Sequence, residues 1–241
     1  MKQVMIFAAG LGTRLKPLTD TMPKALVRVG GQPLLWHVIM KLKAAGYERM
    51  VVNVHHFADQ IIDYLESNGN FGVDIRISDE RDGLLETGGG IKKALPLFDP
   101  ESPILIHNVD ILSNLDFNTL PTDAPLLVVS PRQTKRYLLF DETLRLQGWT
   151  NIETGEVRGV KEVKSGEVKS EKWRMLAFSG IHVFHPSLIP LMADWPDRFP
   201  IMDFYLKACG DHLIRGFEVH DLRLLDVGKL DTLEQAEKFL V

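Results

Sequence analysis

Apolar residues recur along the chain in two rhythms. Up to residue 131, short apolar-rich segments at 3–8, 50–54, 73–78, 103–107 and 126–130 read as strands. Between them, apolar positions return every three or four residues. Residues 33–45 place Leu34, Leu35, Val38, Ile39 and Leu42 on one helical face, and Gly46 follows where a left-handed helix cap belongs. Residues 58–67 form a second helix, ended by Asn68-Gly69-Asn70, and 87–95 a third, stopped by Pro96. Strands apolar on both faces and separated by helices predict a doubly wound, mostly parallel, Rossmann-like α/β sheet with right-handed crossovers. Ligands of such sheets bind beyond the carboxyl ends of the strands. That rule puts the segments starting at Ala9, Val54, Asp79 and Asn108 on one rim.

After Pro131 the rhythm changes. Residues 136–149 and 156–168 are short, alternating and charged, with turns at Asp141-Glu142 and Thr154-Gly155, and predict inserted antiparallel hairpins. A strand at 178–184, helices at 187–192 and 202–209, strands at 216–220 and 224–227 and a closing helix at 230–239 complete the reading. No repeat or linker divides the chain, so one domain is expected over residues 1–241, with halves at 1–131 and 132–241.

Composition narrows the partners. The net charge is −4 and the pI about 6.1, which gives no global basic field for nucleic acid. The single cysteine, Cys209, excludes an internal disulfide and is expected to pack as a small hydrophobe in a reducing compartment. Lys2, Arg14 and Lys16 interrupt the N-terminal apolar run, so no signal peptide is expected. No stretch approaches the roughly 20 apolar residues of a membrane span. A cytoplasmic protein acting away from membranes follows, and no residue fixes its oligomeric state.

The segment VMIFAAGLGTRLKPLTDTMPKALV carries the chemistry. It begins like a dinucleotide fingerprint, yet Leu15 stands where the third glycine belongs, and no acidic residue ends a second strand at the required distance. Pro17 and Pro23 resist a helix, leaving a glycine-led loop of about fourteen residues, a length that is usually functional. Gly10 and Gly12 let backbone N–H groups approach an anion, Thr13 adds a hydroxyl, and Arg14 and Lys24 add cations suited to phosphate.

AAG-x-GTR-L-x-PLT followed by PK-x-L closely resembles the signature of the sugar-1-phosphate nucleotidyltransferases. VGGQPLLWHVIMKLKAAGYERMVVNV and GLLETGGGIKKAL extend the similarity over essentially the whole chain. The resemblance implies a GT-A-like core with a nucleotide-binding first half and a sugar-binding second half. It also implies an NDP-sugar-forming reaction, in which a sugar-1-phosphate oxygen attacks the α-phosphorus of a nucleoside triphosphate. A phosphate monoester is largely dianionic at neutral pH, so the reaction needs charge cancellation and in-line positioning, with no general base.

The resemblance also assigns roles. Gly10, Gly12, Thr13 and Arg14 would hold the triphosphate, with Arg14 on the departing phosphates and Lys24 between the α-phosphate and the incoming sugar phosphate. The Ala8-Ala9-Gly10 backbone would meet base and ribose. Glu86, with the backbone at Gly88 and Gly89, would select the base, and His55 and His56 would line the nucleoside pocket. Asp110 and Asp226 would hold Mg²⁺, the expected cofactor. Asn108, Ser179 and Gly180 would face the sugar. Glu162 stands where relatives carry a Glu-Lys-Pro segment, although here the proline is missing.

Two further positions depart from the family pattern: Val109 replaces a glycine and Lys229 a threonine. His182 and His185 read as packing residues, and Trp149, Trp173 and Trp195 as core or edge packing, with stacking on a sugar the alternative. ETGGGI and FSGIHVFHP are most similar to compact bacterial members, which implies UTP and N-acetylmuramate 1-phosphate as the first substrate pair. Guanylyl transfer to mannose 1-phosphate or a heptose phosphate, cytidylyl transfer to phosphocholine, and a silent nucleotide-sugar-binding subunit stay open. No appended C-terminal domain is expected.

Overall fold

Residues 1–159 and 172–239 are described by a computed structural model of the chain. The first half alternates strand and helix as the apolar pattern requires. Strand β1 (Gln3–Phe7) leads through the loop segment to a short hairpin, β2 (Arg28–Val29) and β3 (Gln32–Pro33), and then to helix α1 (Leu34–Ala44). There follow β4 (Arg49–Val54), α2 (Ala58–Ser67), β5 (Asp74–Asp79), α3 (Glu86–Ala94) and β6 (Ile104–Asn108). β6, β1, β4 and β5 pair in parallel, in that order.

Both faces of the central strands are covered, which is why β1, β4 and β6 are mostly apolar, whereas the edge strand β5 alternates. Val4 and Ile6 of β1 join one hydrophobic cluster with α1 and α2, while Met5 joins another with α3 on the opposite side. In α1, Leu34, Leu35, Ile39 and Leu42 are fully buried. Each such side chain is worth about 1.5–3 kcal/mol over an exposed one, more than the modest helix propensity of the β-branched residues. Gly46 adopts φ +81°, the left-handed conformation expected after the helix.

The second half extends this sheet, mostly by antiparallel pairing, and adds a two-stranded sheet of its own. β7 (Ile111–Ser113) and β8 (Leu126–Ser130) precede the hairpin strands β9 (Arg136–Phe140), β10 (Leu146–Asn151) and β11 (Val157–Gly159). β12 (Arg174–Phe184) follows, then helix α4 (Ile201–Ala208), β13 (Arg215–Glu218), β14 (Leu224–Asp226) and α5 (Asp231–Phe239). The ten-stranded sheet runs β11-β10-β9-β12-β6-β1-β4-β5, with β8 beside β12 and β13 beside β8.

β12 joins the halves. Arg174–Leu176 pairs with β9, and His182–Phe184 pairs antiparallel with β6. Its register with β8 shifts between Phe178 and His182, across Gly180 at φ +81°. A bulge there bends the strand and lets it serve both partners.

Three expectations are refined. β8 runs in the direction of the core strands and pairs in parallel with β13, but β12, antiparallel to both, stands between β8 and β6. The helix expected at 187–192 is two 3-10 turns, Pro186–Leu188 and Pro190–Met192, because Pro190 cannot extend the first turn. The hairpin expected at 156–168 extends past the described residues after Gly159. Cys209 packs in the core as expected. Among the described residues no helix is long and apolar enough to cross a membrane.

Candidate active site

The loop after β1 has more internal structure than its prolines suggest. It folds as three 3-10 turns, Thr13–Leu15, Leu18–Asp20 and Lys24–Leu26. Gly12 organises them. Its φ is +64°, and a Cβ there would lie 2.8 Å from Thr19 Cγ2. Its carbonyl accepts hydrogen bonds from Leu15 N at 2.9 Å and Thr19 Oγ1 at 2.8 Å. Leu15 and Ala25 are fully buried and pin the loop to the core. Gly10 has open space where a Cβ would stand, so its lack of a side chain serves the cavity in front of it.

That cavity, of about 440 Å³, lies at the carboxyl ends of β1 and β6. Ala8, Ala9, Gly10, Gly12, Thr13, Arg14 and Lys24 line one side; Glu86, Asn108 and Asp110 line the rest, together with Val109 and Gly228. Lys24, only 8% exposed, reaches across to Asp110 and forms an ion pair with Oδ2. The pair places a cation and a carboxylate where opposite signs of a nucleotide–metal complex would meet them.

Asp226 does not line the cavity itself; the β7–β14 pairing, which residue patterning did not anticipate for β7, places it at the edge beside Gly228, which does. Asp226 pairs with Ile111, and Val227 N donates to Asp110 O at 2.8 Å. A Cβ on Gly228 would lie 2.6 Å from Asp226 Oδ1 and 2.9 Å from an Arg14 guanidinium nitrogen. Arg14 and Asp226 therefore face one another over Gly228, a residue the sequence reading did not single out. Asp110 and Asp226 offer hard oxygen donors from adjacent strand ends. Among the described residues no cluster of three or more His, Cys, Asp and Glu side chains converges. Two carboxylates without a full protein cage fit Mg²⁺, which takes one or two carboxylates and fills its shell with phosphate oxygens and water.

Two buried polar residues that the sequence reading missed brace the rim. Asn53 Oδ1 accepts from Ala8 N at 2.7 Å and from Ala9 N at 3.3 Å. Its Nδ2 donates to Glu80 Oε1 at 2.7 Å, and Glu80 Oε2 accepts from Leu85 N at 3.2 Å. This chain of bonds ties the ends of β1, β4 and β5 to the segment before α3. The signal for both was a polar residue at or next to the carboxyl end of an apolar strand.

Other expected residues lie elsewhere. Gly88 and Gly89 do not line the cavity; they pack under residues 197–199. A Cβ would lie 2.2 Å from the Phe199 ring at Gly88 and 2.0 Å from Asp197 O at Gly89. Their N–H groups donate to Phe199 O at 2.8 and 3.2 Å, so this helix start already has its acceptor. His55 Nδ1 bonds Glu80 O at 2.7 Å, and neither His55 nor His56 lines the cavity. Glu162 lies outside the described residues.

A second cavity of about 360 Å³ adjoins the first, sharing Phe7, Thr87 and Asn108 with it. Gly180 lines this second cavity; Ser179 is buried beside it, its Oγ accepting from Ile181 N at 3.1 Å. Trp149, read as packing or as stacking on a sugar, lines it, because it stands opposite Leu138 across the β9–β10 hairpin. His182 is buried with its Nδ1 2.7 Å from Tyr205 Oη, a packing role as expected.

Comparison with known proteins agrees with this geometry. The model of the nucleotidyl transferase family matches residues 3–125. An N-acetylmuramate alpha-1-phosphate uridylyltransferase from Caulobacter vibrioides is 36% identical, covering 89% of this chain and 87% of that protein. One from Neisseria meningitidis is 47% identical over 48% of this chain and 49% of its own. The crystal structure of HddC from Yersinia pseudotuberculosis, complexed with GMP-PN, superposes with a TM-score of 0.74 at 22% identity, covering all of both chains. The loop, the strand-end carboxylates, the GT-A-like fold and these relatives together place the chain in the nucleotidyl transferase family, among the sugar-1-phosphate nucleotidyltransferases.

Proposed function

We propose that the protein joins UTP to N-acetylmuramate 1-phosphate with Mg²⁺, in the cytoplasm, releasing pyrophosphate. The observation that carries the substrate pair is the 36% identity to a uridylyltransferase of that specificity across 89% of the chain. The nucleoside would lie along the Ala8-Ala9-Gly10 backbone, with Glu86 at its base. The loop N–H groups, Thr13 and Arg14 would hold the β- and γ-phosphates. Lys24 would exchange its partner Asp110 for the α-phosphate and the sugar phosphate, drawing two anions together. An oxygen of the sugar phosphate then bonds to the α-phosphorus as the bond to the oxygen bridging to the β-phosphorus breaks, and pyrophosphate leaves with that electron pair. No proton transfer is required. Mg²⁺ held by Asp110 and Asp226 would supply charge neutralisation on the phosphate oxygens.

A matrix of UTP, GTP, CTP and dTTP against several sugar 1-phosphates, read by pyrophosphate release, tests this reading. Release that requires UTP, N-acetylmuramate 1-phosphate and Mg²⁺ together is expected. Release with another pair refutes the substrate assignment, and none with any pair refutes the reaction.

A further inference from the structure

The second cavity carries a charge that the reaction does not account for. Sugar hydroxyls can be satisfied by neutral donors and acceptors, and under the proposed function the sugar phosphate already has Lys24 at the first cavity. Yet Arg132 and Arg136 both line the second one, and no aspartate or glutamate among the described residues does. Arg49, Arg81, Arg158, Arg174 and Arg215 each meet a carboxylate. Among the described residues neither Arg132 nor Arg136 has one.

Their placement is built into the fold. Arg132 Nη2 donates to Phe178 O at 2.8 Å, next to the β12 bulge, and this holds the guanidinium at the cavity while leaving its other N–H groups available. Arg136 shares a face of β9 with Leu138, two residues on, and Leu138 stands opposite Trp149. The wall therefore presents two guanidinium groups beside the apolar surfaces of Trp149 and Phe178, with Asn108 leading back to the first cavity. A guanidinium is permanently charged and matches a carboxylate in a planar, two-point contact.

We propose that Arg132 and Arg136 select a sugar phosphate that carries a carboxylate in addition to its phosphate. This rests on the proposed function. N-acetylmuramate differs from N-acetylglucosamine by one lactyl ether, whose carboxylate is the added negative charge. The two arginines would bind that carboxylate, and Trp149 and Phe178 would cover its methyl group and the acetyl methyl. The neutral amino sugar leaves the arginines without a partner and forfeits the interaction.

The two acceptors, N-acetylmuramate 1-phosphate and N-acetylglucosamine 1-phosphate, differ only in that group and allow a direct test. kcat/KM for each is measured at saturating UTP with the wild-type protein, Arg132→Gln, Arg136→Gln, the double variant and Arg132→Lys. The wild type is expected to favour the acidic sugar by more than about tenfold. The double variant loses about ten- to a hundredfold on the acidic sugar and stays within about threefold on the neutral one, because one charge-assisted contact set is removed. Arg132→Lys, which keeps the charge without the fork, falls between. Both arginines are exposed, so unfolding midpoints should not move.

Equal losses on both acceptors would show that the arginines hold the phosphate and would overturn the proposal. A preference that survives the double variant would overturn it too. Failure of the wild type to use either acceptor with UTP would instead refute the proposed function, and the selectivity with it.

Discussion

Lys24 and Asp110 pair at the cavity wall, with side chains 10% and 21% exposed. Under the proposed function the same residues meet ligand, Lys24 the phosphates and Asp110 a cation. Lys24→Gln leaves a half-buried carboxylate unpaired and removes the cation between two phosphates. It is expected to lower kcat about 100- to 1000-fold, the range for losing one preorganised electrostatic contact. It should also cost about 1–3 kcal/mol of stability in urea titrations. Adding Asp110→Asn should recover the stability without recovering the activity. If the single variant is as stable and active as the wild type, the pair has neither role.

The glycine string and both of these charges were legible in the sequence, because loop chemistry is local. Asn53, Glu80 and Gly228 were not, since each acts through a partner far along the chain. Gly88 and Gly89 were read as facing the base; they pack against Phe199, which arrives from a segment no local pattern connects to them.

At the scale of elements, β6 and β12 lie side by side and each buries a histidine. His107 Nδ1 bonds Asn108 O at 2.8 Å, and His182 Nδ1 meets Tyr205 Oη. Burial pushes their pKa values down from 6.5 to about 4 and about 3. Above pH 6.5 both are neutral folded and unfolded, and pH has no leverage through them. Below it the unfolded chain takes up protons that the native sheet refuses. Stability therefore falls with falling pH, by about 1.4 kcal/mol per unit for each histidine at most, down to about pH 4 for His107 and about pH 3 for His182. Urea midpoints from pH 7.5 to 4.5 should decline, and less steeply in His107→Gln and His182→Gln. Equal slopes in all three proteins would contradict this.

The elements were largely readable. Strand and helix periods marked the parallel core, and α2 occupies Ala58–Ser67 as read. Strand neighbours were not readable, because an apolar run records burial on two faces and not the partner: β8 keeps the direction of the core strands but lies beside the antiparallel β12.

At the scale of the whole molecule, the ten-stranded sheet serves two cavities. Its parallel core leads into the glycine loop that lines the first, and its antiparallel wing walls the second. The bulge at Gly180 lets β12 belong to both, so the two cavities share Phe7, Thr87 and Asn108. The proposed function gives this arrangement a single chemical purpose: an anion in the second cavity attacks the α-phosphorus of a nucleotide in the first. Phosphorus-31 NMR of the protein turning over UTP and N-acetylmuramate 1-phosphate with Mg²⁺ reads that event directly. The triphosphate and sugar phosphate signals should give way together to a diphosphodiester and free pyrophosphate in equal amounts. Inorganic phosphate with UDP, or a sugar phosphate signal that persists while UTP disappears, would show that no such attack takes place.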